Sequence, residues 1–198
     1  MPLETFGFRT NYLAEEKPHS QPSMTFRRPR TQTAKEGLVL ETASGPKMRV
    51  EVVNRDGEIW VGEFEGGPGG LSGIFATPCP DDLCVVNAGY AYRVPTLRPS
   101  QYEFIPAIPV KDVVRVPGKD ILVFVDYVRL TAIGPAGLLW QSPDVSWDGI
   151  KLLEVSGASI RGVGWDSPAT REAEFLIDME TGHAQGGSSP NHCNAVRQ

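Results

Sequence analysis

Residues Leu138–Gly187 read LLWQSPDVSWDGIKLLEVSGASIRGVGWDSPATREAEFLIDMETGHAQGG, and this stretch decides the fold class. The runs IKLLEVS, SIRGVGW and AEFLIDM are rich in residues that suit a pleated surface. Turn signals separate them: Trp147-Asp148-Gly149, Ser167-Pro168 and Thr181-Gly182. No window holds the 3.6-residue apolar period of an amphipathic helix. Three of the four tryptophans, Trp140, Trp147 and Trp165, lie in it. Short strands joined by regular tight turns predict a repetitive antiparallel sheet.

The same texture extends upstream to Leu38. LVLET leads to KMRVEVVN, and the turn Arg55-Asp56-Gly57 then opens EIWVGEF, a hairpin signal. GGPGG (Gly66–Gly70) reads as a wide bend or mobile lip, followed by LSGIFAT, a turn at Pro78–Asp82, and LCVVNAGYAYRVP. VKDVVRV, ILVFVDY, VRLTAIG and LLWQS come next, with a tight corner at Asp126–Arg129. A closing strand follows Glu180-Thr181-Gly182. The fold class is therefore all-β: about a dozen strands in antiparallel hairpins, in a propeller-like or two-sheet sandwich arrangement. Trp60, Phe64, Phe75, Tyr92, Phe124 and Phe175 alternate with polar residues and are assigned to the core. WQSPD at Trp140 and WDSPA at Trp165 read as equivalent strand ends in successive hairpins.

Residues 1–36 are polar and aperiodic and are read as a flexible or peripheral arm. Residues 37–187 form a single all-β domain, and 188–198 a loose tail. The stretch Val113–Ser142 resembles propeller blades in general. The C-terminal residues Trp140, Ser142, Ser146–Gly149, Phe175, Asp178, Thr181 and Gly182 resemble the pattern Trp-x-Ser, Ser-Trp-Asp-Gly, Phe-x-x-Asp-x-x-Thr-Gly of an uncharacterised bacterial all-β family. That resemblance covers roughly the last 75 residues and implies no known activity.

Composition narrows the function classes. A formal charge of -5 over 198 residues argues against nucleic acid as the main partner, since phosphate binding needs a concentrated basic surface. No apolar run reaches the roughly 18 residues of a membrane span. The first residues, MPLETFGFRT, lack the plan of a secretory signal. A cytoplasmic protein with no membrane partner is expected. The three cysteines are an odd number, and thiols are expected in a reducing compartment.

Among chemistry-bearing residues, Asp148 and Asp166 each follow a tryptophan. Turn capping is the favoured role for both, because aspartate readily accepts backbone N–H bonds there. The alternative is a ligand-binding face of Trp147, Asp148, Trp165 and Asp166, with indoles stacking on sugar rings or the carboxylates serving a glycoside hydrolase. A hydrolase triad has little to build on: His19 lies in the arm, His192 in the tail, and His183 reads as a surface residue on an edge hairpin. Cys79, Cys84, His192 and Cys193 are spaced poorly for zinc. GGPGG lacks the Lys and following helix of a phosphate loop. No catalytic residue, metal or cofactor is therefore assigned. Phe26, Arg27, Arg28 and Arg30 form a basic segment suited to docking a protein partner. The expectation is a non-enzymatic binding or protein-interaction module, with a homodimer predicted from sheet edges.

Overall fold

A computed structural model describes residues 8–13, 22–29 and 45–189. The described residues contain sixteen strands, one 3-10 turn at Pro99–Gln101, and no α-helix. None of their helices is long and apolar enough to cross a membrane. The strands form four sheets of four. The chain divides into two compact units: Met1–Ala76 with Pro80–Ile105, and Thr77–Cys79 with Pro106–Gln198.

The first unit holds two sheets. One has the order β1 (Arg9–Leu13), β3 (Lys47–Val53), β4 (Ile59–Glu65), β2 (Ser23–Phe26), in which β2 runs parallel to β4. The other is a simple meander of β5 (Gly73–Ala76), β6 (Asp82–Asn87), β7 (Tyr90–Pro95) and β8 (Glu103–Ile105). The β3–β4 hairpin forms where Asp-Gly predicted it. Asn54 Oδ1 accepts the N–H groups of Asp56 and Glu58 at 3.0 and 2.9 Å, and Gly57 takes φ +82°. Both sheets share an aromatic core: Phe26 stacks on Phe64 at 4.4 Å, and Phe64 meets Tyr92 at 5.6 Å.

Two expectations change here. Within the arm, the described segments Arg9–Leu13 and Ser23–Phe26 are strands. Phe26 is fully buried, because its ring fills the space between Phe64, Trp60 and Tyr102. The glycine run Gly66–Gly70, read as a wide bend or mobile lip, also crosses the β6–β7 turn. Gly67 N–H donates to the Asn87 carbonyl at 3.1 Å, Gly69 N–H to Ala88 at 3.2 Å, and Gly89 N–H returns to Leu71 at 2.9 Å. A Cβ on Gly67 would lie 2.5 Å from the Ala88 carbonyl, so the glycine permits a close backbone crossing.

The second unit holds two further meanders. One is β9 (Asp112–Arg115), β10 (Leu122–Val125), β11 (Leu130–Gly134) and β12 (Gly137–Gln141). The other is β13 (Ile150–Val155), β14 (Ser159–Asp166), β15 (Arg171–Asp178) and β16 (Ala184–Gly186). The four-stranded meander is the unit from which propeller blades are made. Val123, Val125, Leu130, Trp140, Ile160, Phe175, Ile177 and Met179 form the common core. The Trp140 indole N–H donates to the Met179 carbonyl at 2.8 Å. Trp140 and Trp165 are therefore not equivalent strand ends: Trp140 is a core residue on the edge strand β12, whereas Trp165 is exposed on the inner strand β14.

Candidate functional site

The site is built on the segment 143–149, which links the two sheets of the second unit. Its starting support is the β10–β11 corner. There Asp126 Oδ1 accepts the N–H groups of Val128 and Arg129 at 2.7 and 2.8 Å. Burial raises the Asp126 carboxyl above its ordinary range, and those two backbone bonds oppose the shift. The corner then presents its carbonyls to the link: Val145 N–H donates to Val128 and Gly149 N–H to Tyr127, each at 2.8 Å. Arg129 closes on Asp144 at 2.6 Å.

Ser146 fixes the other side. It is fully buried, donates from Oγ to the Gly149 carbonyl at 2.7 Å, and accepts Trp165 N–H at 2.8 Å. Trp147 N–H donates to the Trp165 carbonyl at 2.9 Å, and the Trp147 indole N–H reaches Ser188 Oγ at 3.2 Å. Gly149 at φ +87° supplies the left-handed step of the turn. Gly164 lets the link pass over β14, since a Cβ there would lie 2.4 Å from the Val145 carbonyl. The two Trp-Asp pairs, Trp147-Asp148 and Trp165-Asp166, are thus joined through backbone hydrogen bonds although separated in sequence.

The backbones of Tyr127, Trp147 and Trp165 thus meet in one hydrogen-bonded corner. Trp165 is 37% and Tyr127 39% exposed, while Trp147 is half-buried. Lys111 Nζ lies 4.7 Å from the centre of the Tyr127 ring and 3.1 Å from its hydroxyl. The Trp165 indole N–H has no partner among the described residues, unlike those of Trp60, Trp140 and Trp147. Asp166 caps its turn as expected, accepting Ala169 N–H at 3.3 Å. Asp148 does not: it is exposed and accepts no hydrogen bond from a described residue, because Ser146 performs that role. Lys111, Tyr127 and Ser146 were not singled out as site residues from sequence. Only the Ser-Trp-Asp-Gly turn hinted at Ser146.

The other candidates lie elsewhere. Arg27 and Arg28 are exposed in the first unit, and Tyr102 Oη accepts Arg27 N–H at 3.4 Å and donates to the Arg27 carbonyl at 3.1 Å. Arg28 lies over Tyr90 at 5.9 Å. Phe26 is buried beneath them and offers no face to a ligand. Arg30, His19, His192 and Cys193 fall outside the described residues. His183 is exposed beside the β15–β16 turn.

No family model matches the chain. No curated protein matches it either. Among solved structures, the chain is similar to the N-terminal domain of Nup159, at 14% identity and a TM-score of 0.40, with 78% of this chain and 42% of that chain covered. The chain thus spans less than half the length of that structure.

Proposed function

We propose that this protein is a non-enzymatic binding module and that the corner of Tyr127, Trp147, Asp148 and Trp165 is its recognition surface. The observation that carries the reading is Trp165, which presents a large apolar ring and an unpartnered indole N–H from a backbone held on both sides. Aromatic anchors with a polar handle dominate recognition surfaces, and a fixed backbone lowers the ordering cost of binding. A protein partner is the favoured ligand. A glycan is the second reading, favoured by the exposed carboxylate of Asp148, which follows Trp147 in the chain. A reducing compartment suits the chain, since Cys84 is a fully buried free thiol whose ionisation burial opposes.

The test follows the four indole N–H signals by NMR while the protein is titrated with hits from a random peptide display library and, separately, a glycan panel. Signals of Trp147 and Trp165 should move, and those of the buried Trp60 and Trp140 should stay. W165A should abolish binding while leaving the protein folded, as the unmoved Trp60 and Trp140 signals would report. Binding that survives W165A intact would place recognition elsewhere.

A further inference from the structure

The outer face of the β13–β16 sheet shares Trp165 with that corner and has a charge pattern of its own. Cross-strand register sets Trp165 opposite Glu172, Val163 opposite Glu174, and Arg161 opposite Leu176. The alternate residues Ala173, Phe175 and Ile177 turn inward. The charged groups on the outer face are Lys151, Glu154, Arg161, Glu172, Glu174 and Asp178. Arg161 pairs with Glu154 at 3.7 Å. Asp178 is occupied by its own turn, accepting the N–H of Thr181 at 2.8 Å and its hydroxyl at 2.7 Å. Lys151 stands two strands from Glu174, about 10 Å away.

The carboxylates of Glu172 and Glu174 are exposed and make no ion pair or hydrogen bond among the described residues, and each faces an apolar residue across the strand pair. Opposite charges in those positions would stabilise the sheet, so its own register makes no use of the two carboxylates. They stand about 7 Å apart along β15, beside the Trp165 ring and followed by the exposed Leu176.

We infer that this face binds an extended basic segment of a partner protein, with cations at alternate positions and an apolar residue next in the same register. The inference rests on the reading of Trp165 as a recognition residue. An extended segment turns every second side chain downward at the same repeat of about 7 Å as β15. Two successive cations then meet Glu172 and Glu174, and the third inward residue meets Leu176. Arginine suits the first position, because its planar guanidinium pairs with Glu172 while stacking on Trp165. The chain's own Phe26-Arg27-Arg28-Pro29-Arg30 carries an apolar-x-Arg-x-Arg pattern, but Phe26 is locked in its own core. A separate partner is therefore the occupant.

The test is a titration of the full chain with a synthetic peptide containing Arg-Ser-Arg-Ser-Leu, and with a control in which the two arginines are adjacent. The Trp165 indole signal should move with saturation for the alternating peptide and several-fold more weakly for the control. The double variant E172Q/E174Q should bind roughly tenfold more weakly at unchanged stability. No saturable binding at millimolar peptide, or equal binding by E172Q/E174Q, overturns the inference. If library ligands move Trp147 and Trp165 and are indifferent to E172Q/E174Q, the recognition corner stands and the basic partner falls. Sedimentation of the free protein checks the remaining occupant: a dimer broken by Leu176→Ser and indifferent to E172Q/E174Q would mean that a second copy covers the face.

Discussion

Ser146 has a buried hydroxyl that both donates to Gly149 and accepts from Trp165, so its loss is felt twice. S146A should cost about 2 kcal/mol in urea unfolding, because buried backbone groups lose a partner. It should also change Trp165 emission, since the Trp165 N–H then keeps only its longer bond to the Gly149 carbonyl, at 3.4 Å. Two aspartates then give opposite pH signatures. Asp126 has its folded pKa raised by burial, so its contribution is full below the unfolded carboxyl pKa and is lost as pH rises through the folded value. Asp178 has its folded pKa lowered, first by the Thr181 hydroxyl, so its contribution is present above the unfolded value and lost as pH falls through the folded one. Denaturation curves between about pH 3 and pH 7 should show D126N removing the loss on rising pH and D178N the loss on falling pH. D126N keeps an oxygen for Val128 and Arg129 and should be no less stable than the parent at neutral pH. D126A should lose about 2 kcal/mol.

At the level of elements, glycines separate into two kinds that composition alone cannot distinguish. Gly57 stands in open space at φ +82°, so G57A should cost about 1 kcal/mol, the strain of a left-handed alanine. Gly67 is crossed by the Ala88 carbonyl and the Tyr90 ring, and G67A should cost about 2–3 kcal/mol because backbone must move. Thermal or urea unfolding of the two variants checks the order. F26A should cost about 3–5 kcal/mol, which makes deletion of the basic segment a change to the core as well as to the surface. The C-terminal sequence pattern also acquires physical content. Trp140 packs in the core and bonds Met179, Ser142 Oγ accepts Leu130 N–H at 3.0 Å, Phe175 is core, and Asp178, Thr181 and Gly182 make one turn. Apart from the exposed Asp148, these residues build the sheets.

Across the whole molecule, a chain of net charge -5 with an acidic sheet face should bind a basic segment in a salt-dependent way. Raising salt from about 0.05 to 0.5 M should weaken the Arg-Ser-Arg-Ser-Leu peptide several-fold, because screening acts on exposed carboxylates. An unchanged affinity would mean that apolar contacts alone hold the peptide.

The hairpins were readable because their signals are local. Asp56-Gly57 needs only a left-handed glycine, Asp126 caps a corner with neighbours two and three residues away, and alternation places Phe175 and Ile177 inward. The strands β1 and β2 were not readable, since β2 pairs in parallel with β4 across a long separation and its polar residues carry no period of their own. The site was half readable. Trp147 and Trp165 are legible there, yet the turn assigned to Asp148 is held by Ser146, because a hydroxyl and a carboxylate are equally good turn acceptors in sequence. The order of amino acids by itself determined the all-β class, most turns and the burial of Trp60, Phe64, Tyr92, Phe124 and Phe175, each read from alternation and turn signals close by in sequence, whereas Phe75, assigned to the core in the same way, is only half-buried. Only the tertiary structure decided that Phe26 is core, that the glycine run is a crossing and that Ser146 in place of Asp148 meets the Trp165 backbone. Those facts depend on which distant backbones meet, and no local pattern encodes that.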